Sequence, residues 1–416
     1  MKAQRLRIQY AESVKTAAYD IRVGNQIWSD LVAELQRLIY PDVAATVDGN
    51  SRPAQIVILT DQEQGELYLT QIQEVLTAGG WPGQELIVPN AAAAKQPAVA
   101  TEVWRALAQS GFRRSDLLLV IGGSALCRLG GFIAANWQGG MNYVLLPTSL
   151  VAMMDASVGG LVSLDLPEGP DLVSNTWPPA LVLADLATLD NLADAQWLAG
   201  WAVLIKALLI DGTDSWQWLQ EQAEALSKRQ PEPVQQAVVR AIAAKARWIV
   251  ADHLDTAVNA EQAFSLGEPL AQTLRRLGAP DVTFAQALTE GLRFAARLAG
   301  EAVGASADWV DELETLFLAF GLEPLRLAAD SDLNADNLYA GLLGRGAADP
   351  ASAVTSAATA ASTAPAATLN PAATDSAGRL PMVLMREPGQ LVWSDVDWDL
   401  LKIYLIYWQQ AHTIGL

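Results

Sequence analysis

Histidine and cysteine are nearly missing from this chain. Among 416 residues there are two histidines, His253 and His412, and one cysteine, Cys127. A lone cysteine excludes an intramolecular disulfide framework and any cysteine-rich zinc or iron–sulfur site. Two histidines all but exclude a histidine-based metal centre. Positive charge is also scarce: 27 Lys and Arg stand against 46 Asp and Glu, a formal charge of −19. So acidic a chain is a poor match for nucleic acid or an anionic membrane, and repulsion keeps it soluble. The longest apolar run, Trp197 to Ile210, carries Lys206 and is too short to span a bilayer, so no transmembrane segment is expected. The first ten residues lack the apolar stretch of a signal peptide, and the expected compartment is the cytoplasm. What is abundant is apolar side chain, 51% of residues, enough for a large core shared by two or three domains.

Short β-rich runs alternate with helical patterns over the first 190 residues. Gln55 to Asp61, Glu85 to Pro89, Asp116 to Ser124 and Asn142 to Pro147 read as buried strands. Leu67 to Ala78 and Ala98 to Gly111 read as the helices between them. This alternation predicts an α/β domain over 1–190, built on a Rossmann-like parallel sheet with right-handed crossovers. From 191 the pattern changes. Segments 193–229, 232–255, 260–278 and 283–304 are Ala/Leu-rich with helical periodicity, which predicts an all-helical domain over 191–416. Residues 347–378 are Ala/Thr/Ser/Pro-rich and predict a disordered insertion. Apolar sequence resumes with a strand at Leu380 to Met385 and a helix from Trp398 to Trp408.

The chemistry-bearing feature is a glycine turn at a strand end, Gly122-Gly123-Ser124, where backbone N–H groups and a following helix N-terminus can receive a phosphate. A packing turn has the same look. More specific is a series in fixed order: Gly122 to Phe132, Leu146-Pro-Thr148-Ser149-Leu150, Asp155-Ala-Ser-Val-Gly-Gly160, Val182 to Leu189, and Gly200-Trp-Ala-Val203-Leu-Ile-Lys206. This series resembles the 3-dehydroquinate synthase family of sugar-phosphate cyclases, over most of the chain from Tyr19 to Trp408. The resemblance implies an N-terminal NAD-binding domain, a C-terminal helical domain and an active site in the cleft between them.

It also implies a divalent metal, usually zinc, held by a Glu and two His. Here the Glu position holds Val203. The family's Gly-His-Thr-Phe-Gly-His segment reads Gly267-Glu-Pro-Leu-Ala-Gln272, and its last metal His falls at Phe284. Neither His253 nor His412 occupies any of these places, so no metal ligand is assigned and zinc is not expected. The anion-binding cations are depleted as well. The family's Gly-Gly-Lys is Gly159-Gly-Leu161, its Gly-Lys-Asn is Gly169-Pro-Asp171, and two Arg positions fall at Gly139 and near Glu261. On the cofactor side, the Asp of Gly-Gly-Gly-x-x-Gly-Asp is Arg128 and the Glu of Glu-x-x-Lys is Ala92, while Lys95 remains.

The retained positions are the candidate site. Lys206 and Asp155 stand as catalytic relics. Asp61, Lys95, Gly122, Gly123, Ser124, Thr148, Ser149 and Thr188 stand as cofactor-binding candidates. Each also has a structural reading: the glycines as a turn, Asp155 and Thr188 as helix caps, Lys206 as one half of an ion pair. Cys127 reads as packing, and the 14 tryptophans as core with some in a protein interface. The expectation is a catalytically inactive homologue with a structural or regulatory protein-binding role. Its partner would be another protein or a second copy, since family members are commonly dimers. No cofactor is expected, and NAD is the one that the retained residues leave open. The alternative is an NAD-dependent cyclase of the shikimate pathway, or a relative with a changed substrate.

Overall fold

A computed structural model describes residues 4–11, 16–38, 55–167, 169–253, 260–278, 280–328, 331–343 and 379–413. The predicted insertion at 347–378 lies outside the described residues. By their contacts these residues form two compact units. One takes the chain as far as Ala193 and regains it at Lys245; the other holds Asp194–Ala244 and the described residues from 260 onward.

The first unit contains β1 (Gln4–Ala11), β2 (Thr16–Gly24), α1 (Leu31–Leu38), β3 (Ile56–Asp61), α2 (Gln62–Ala78), β4 (Gly83–Val88), α3 (Pro97–Gln109), β5 (Leu117–Gly122), α4 (Ser124–Asn136), β6 (Asn142–Pro147), β7 (Leu161–Leu166), β8 (Gly169–Thr176) and β9 (Leu181–Asp185). Seven strands make one sheet in the order β1-β2-β9-β6-β5-β3-β4. All neighbours are parallel except β1, which pairs antiparallel with β2. β3, β5 and β9 are buried at every residue, which is why they read as unbroken apolar runs: both faces of a parallel sheet are covered. On one face Ile56, Ile58, Leu117, Leu119, Leu181 and Leu183 join a core with Trp28, Leu31, Ile72 and Leu76. β7 and β8 form a separate hairpin packed on α4. Neither that hairpin nor the β1–β2 pair was among the predicted strands.

The second unit contains α5 (Asp194–Asp211), α6 (Thr213–Ser227), the start of α7 (Pro231–His253), α8 (Ala260–Ala263), α9 (Glu268–Gly278), α10 (Phe284–Val303), α11 (Ala307–Ala319), α12 (Ala335–Leu342), the hairpin β10 (Arg379–Met385) and β11 (Leu391–Asp397), and α13 (Trp398–His412). The predicted helix over 193–229 is broken at Gly212, whose φ is 127°. α10 is the hub: α5, α9, α11, α13 and β10 all pack against it. It starts at a capping box, Thr283 with Gln286, and ends at left-handed Gly304. α5 is buried almost all round, with Trp201 tilted against Trp197 and Phe320 at ring-centroid distances of 5.2 and 5.1 Å. Among the described residues no helix is long and apolar enough to cross a membrane.

Candidate functional site

Ligands of open parallel sheets sit beyond the carboxyl ends of the strands, and most of the candidate residues lie there. β5 ends at Gly122, where a Cβ would stand 2.2 Å from Leu126 Cδ1. Gly123 caps α4 in an extended conformation, and a Cβ there would meet only Ser149 Oγ at 3.9 Å, so the backbone is open to close approach. Buried Ser124 is the first residue of α4. The Thr148 N–H donates to Gly122 O at 3.1 Å, joining the ends of β5 and β6. Ser149 Oγ accepts from the Ala152 N–H at 3.3 Å, opening the π-turn Ala152–Ala156 that carries Asp155.

Other candidates hold the framework. Asp61 caps α2 by accepting from the Gln64 N–H at 2.8 Å, and its carboxyl is pushed up by burial. Thr188 does not cap a helix: its Oγ1 donates to Asp185 O at 2.8 Å and its carbonyl accepts from Tyr68 Oη at 3.2 Å. The cap of that turn is Asp185, which accepts from the Ala187 N–H. Cys127 is buried, and desolvation pushes its thiol up to about 12, so it is unreactive packing.

Lys95, Arg128 and Asp155 belong to one buried network. Lys95 is fully buried and its Nζ lies 2.5 Å from Asp171 Oδ1 and 2.6 Å from Asp165 Oδ1. Ser163 Oγ also donates to Asp171. Burial pushes the Asp171 carboxyl up, but Arg128 and Lys95 outweigh it and hold the group below the ordinary carboxylate range. Arg128 is 1% exposed; its Nη1 donates to Leu161 O at 3.2 Å and its Nη2 lies 3.6 Å from Asp155 Oδ2. Lys245, from the part of α7 that belongs to this unit, donates to Asp155 Oδ1 and, at 2.9 Å, to its carbonyl. Three cations thus face three carboxylates. Lys95 and Asp155 were singled out from the sequence. Asp165 and Lys245 were not, because nothing in a linear pattern joins residues 70 to 90 positions apart.

Lys206 lies in the second unit, near the middle of buried α5, and its Nζ is 2.6 Å from Glu268 Oε1. Glu268 opens α9 just after left-handed Gly267. A Cβ on Gly291 of α10 would come within 2.0 Å of the Gly267 carbonyl, so glycine there lets α9 start directly against α10. Val203 and Gln272, each one turn from this pair, are half-buried, and the Arg275 guanidinium lies 5.6 Å from the Phe284 ring centroid. Among the described residues no group of three His, Cys, Asp or Glu is placed to hold a metal ion.

A second charged cluster escaped notice in the sequence. Glu290 of α10 is fully buried and accepts from Trp408 Nε1 at 2.8 Å and from Arg293 Nη1 and the Leu325 N–H at 3.0 Å. His412 Nε2 stands 2.8 Å from the same carboxylate, and its Nδ1 faces Trp408 O at 2.6 Å. Burial pushes Glu290 up, and His412, Arg293 and the Leu325 amide together hold it below its ordinary value. The cluster fastens α13 to α10.

Two family profiles match: 3-dehydroquinate synthase N-terminal over residues 85–199 and 3-dehydroquinate synthase C-terminal over residues 200–343. The chain is 31% identical to the 3-dehydroquinate synthase of Latilactobacillus sakei over 69% of its length and 76% of the relative's. It is 32% identical to that of Thermobifida fusca, over 75% and 80% of the two chains. The chain belongs to the 3-dehydroquinate synthase family. The fold agrees. A crystal structure of 2-deoxy-scyllo-inosose synthase complexed with carbaglucose-6-phosphate, NAD+ and Co2+ superposes with a TM-score of 0.79 at 16% identity, over 97% of this chain and 100% of that one. The 2-epi-5-epi-valiolone synthase of Streptomyces hygroscopicus, with NAD+ and Zn2+ bound, gives 0.74 at 17% identity over 96% and 99%. These sugar-phosphate cyclases share the N-terminal α/β and C-terminal helical architecture.

Proposed function

We propose that this chain is a catalytically inactive member of the family with a structural or regulatory protein-binding role. The observation that carries the reading is the buried Lys206–Glu268 pair at 2.6 Å. At the positions the family resemblance gives to the metal-binding Glu and to the histidines of the metal-site segments stand Val203, Glu268, Gln272 and Phe284. One carboxylate already neutralised by an ammonium, one amide and two hydrocarbon side chains do not fit a dication, which needs about three anionic or imidazole donors. Lys206, which the family segment keeps, here neutralises the carboxylate that stands at a metal-site position.

The cofactor side is changed by the same means. Retained Lys95 is engaged by Asp165 and Asp171, and retained Asp155 by Lys245, so both retained charges are already neutralised within the chain. The open backbone at Gly123 still fits a phosphate. NAD bound without turnover is compatible with this reading, and calorimetry with NAD measures it separately. The decisive experiment supplies the full chain with NAD, Zn2+ or Co2+ and the heptulosonate substrate of 3-dehydroquinate synthase, and follows phosphate release. The expected rate is that of the enzyme-free control. Turnover at an ordinary enzyme rate would overturn the proposal in favour of a cyclase.

A further inference from the structure

We infer that the outer face of α13 is a docking surface for a basic amphipathic helix of another protein. This goes beyond the proposed protein-binding role by naming the surface and the chemistry of the partner, and it rests on that role. α13 carries apolar residues on its outer as well as its inner face, the outer one shared with exposed Asp399, Lys402 and Gln410. Its inner residues Trp398, Leu401, Leu405 and Trp408 are buried in the second unit. Its outer stripe nevertheless exposes Ile403 by 46%, Ile406 by 39% and Tyr407 by 61%, with the ring of Tyr404 6.3 Å from that of Tyr407. Positions 403, 406 and 407 form one ridge at helical spacing, the shape that a second helix packs against. A helix apolar on both sides is a helix meant to be covered on both sides.

Charge selects what covers it. Carboxylates lie at the N-terminal end of the stripe and on one side of it. Asp395, Asp397 and Asp399 are exposed at the β11–α13 junction, where exposed Arg379 of β10 stands across from Asp397, and exposed Glu301 of α10 acts electrostatically on Tyr404. Lys402, the only lysine or arginine of α13, lies 3.2 Å from Asp336 Oδ1. A second copy would set this acidic rim against itself in a chain of net charge −19, and an anionic membrane would be repelled. A helix with leucines on one stripe and Lys or Arg beside it satisfies both the ridge and the rim.

The test uses the full chain and a fluorescein-labelled 18-residue peptide with leucines on one helical stripe and lysines elsewhere. A second peptide of the same composition has its leucines scattered round the helix; a third replaces lysine by glutamate. The expected result at physiological salt is anisotropy binding by the first peptide at least tenfold tighter than by the second, and none by the third. Ile406→Glu and Tyr407→Glu, both at exposed positions with unchanged melting curves, each weaken the first peptide at least tenfold. Equal binding of the two basic peptides, or binding indifferent to both substitutions, overturns the inference by reducing it to charge alone. So does a dimer in sedimentation that Ile406→Glu dissociates, or vesicle binding that Ile406→Glu abolishes. Phosphate release bears only on the absence of catalysis, so the two proposals fail separately.

Discussion

If Lys206 and Glu268 complete each other, removing either should cost far more than removing both. The two side chains are 6% and 10% exposed, so neither charge can turn to water when its partner is lost. Glu268→Gln leaves an ammonium, and Lys206→Met a carboxylate, within a helical core. Breaking a buried pair in this way costs about 3–5 kcal/mol. The double substitution Lys206→Met/Glu268→Leu removes both desolvation penalties and is expected within about 1 kcal/mol of the wild type, or above it. With Glu268→Leu as the second single variant to close the cycle, singles of at least about 3 kcal/mol each against a double of about 1 give a coupling of about 5 kcal/mol or more. For a cooperative unit of about 200 residues, 1 kcal/mol moves the melting temperature by about 2–4 °C, so each single variant should melt roughly 6–20 °C lower. Scanning calorimetry reads this in the transition of the second unit, with urea unfolding as a check. A pair that instead opens to water in solution behaves otherwise: its single variants change stability by less than about 1 kcal/mol, as exposed ion pairs do. Zn2+ would then raise the wild-type melting temperature, by about 2.7 kcal/mol of stabilisation at a hundredfold excess over Kd. Either result refutes the idea that Lys206 and Glu268 form a closed structural pair.

Three further outcomes are expected. Asp171 and Glu290 have folded-state carboxyls held below their ordinary values of 3.8 and 4.5. Their contribution to stability is therefore complete above about pH 5 and lost as pH falls through the lower, folded values. Circular-dichroism melts between pH 3 and 7 should be flat above pH 5 and fall steeply in acid. Glu290→Gln should start lower and fall less, and an unchanged acid slope would contradict the role given to that carboxylate. Gly122→Ala should cost about 1–3 kcal/mol, since its Cβ meets Leu126 at 2.2 Å, whereas Gly123→Ala should stay within about 0.5 kcal/mol. If calorimetry detects NAD binding to the wild type, Gly123→Ala should abolish it, because the methyl fills the space a phosphate would enter. Retained binding would place the dinucleotide elsewhere.

The α/β sheet was legible in the sequence because a parallel strand covered on both faces must be apolar at nearly every position, as Leu117 to Ile121 is. The helical half was legible because its apolar residues recur at helical spacing. The β7–β8 hairpin was not. Its strands carry exposed and charged residues on Gly169–Thr176, and it is held by packing on α4 rather than by a pattern of its own. The break at Gly212 falls in Asp211-Gly-Thr-Asp214, a polar turn signal that the helical pattern on either side outweighed.

Of the candidate site, the sequence by itself determined which residue types remain: the turn glycines, Lys95, Asp155 and Lys206, and hydrocarbon at Val203 and Phe284. Only the tertiary structure decided what those residues do. Lys95 meets Asp165 and Asp171 across 70 or more positions, Asp155 meets Lys245 across 90, and Lys206 meets Glu268 across 62. Local propensity and periodicity fix secondary structure because they act between neighbours in the chain. A buried charge is settled by whichever opposite charge the fold carries to it, and that depends on how helices and strands pack rather than on the residues beside it.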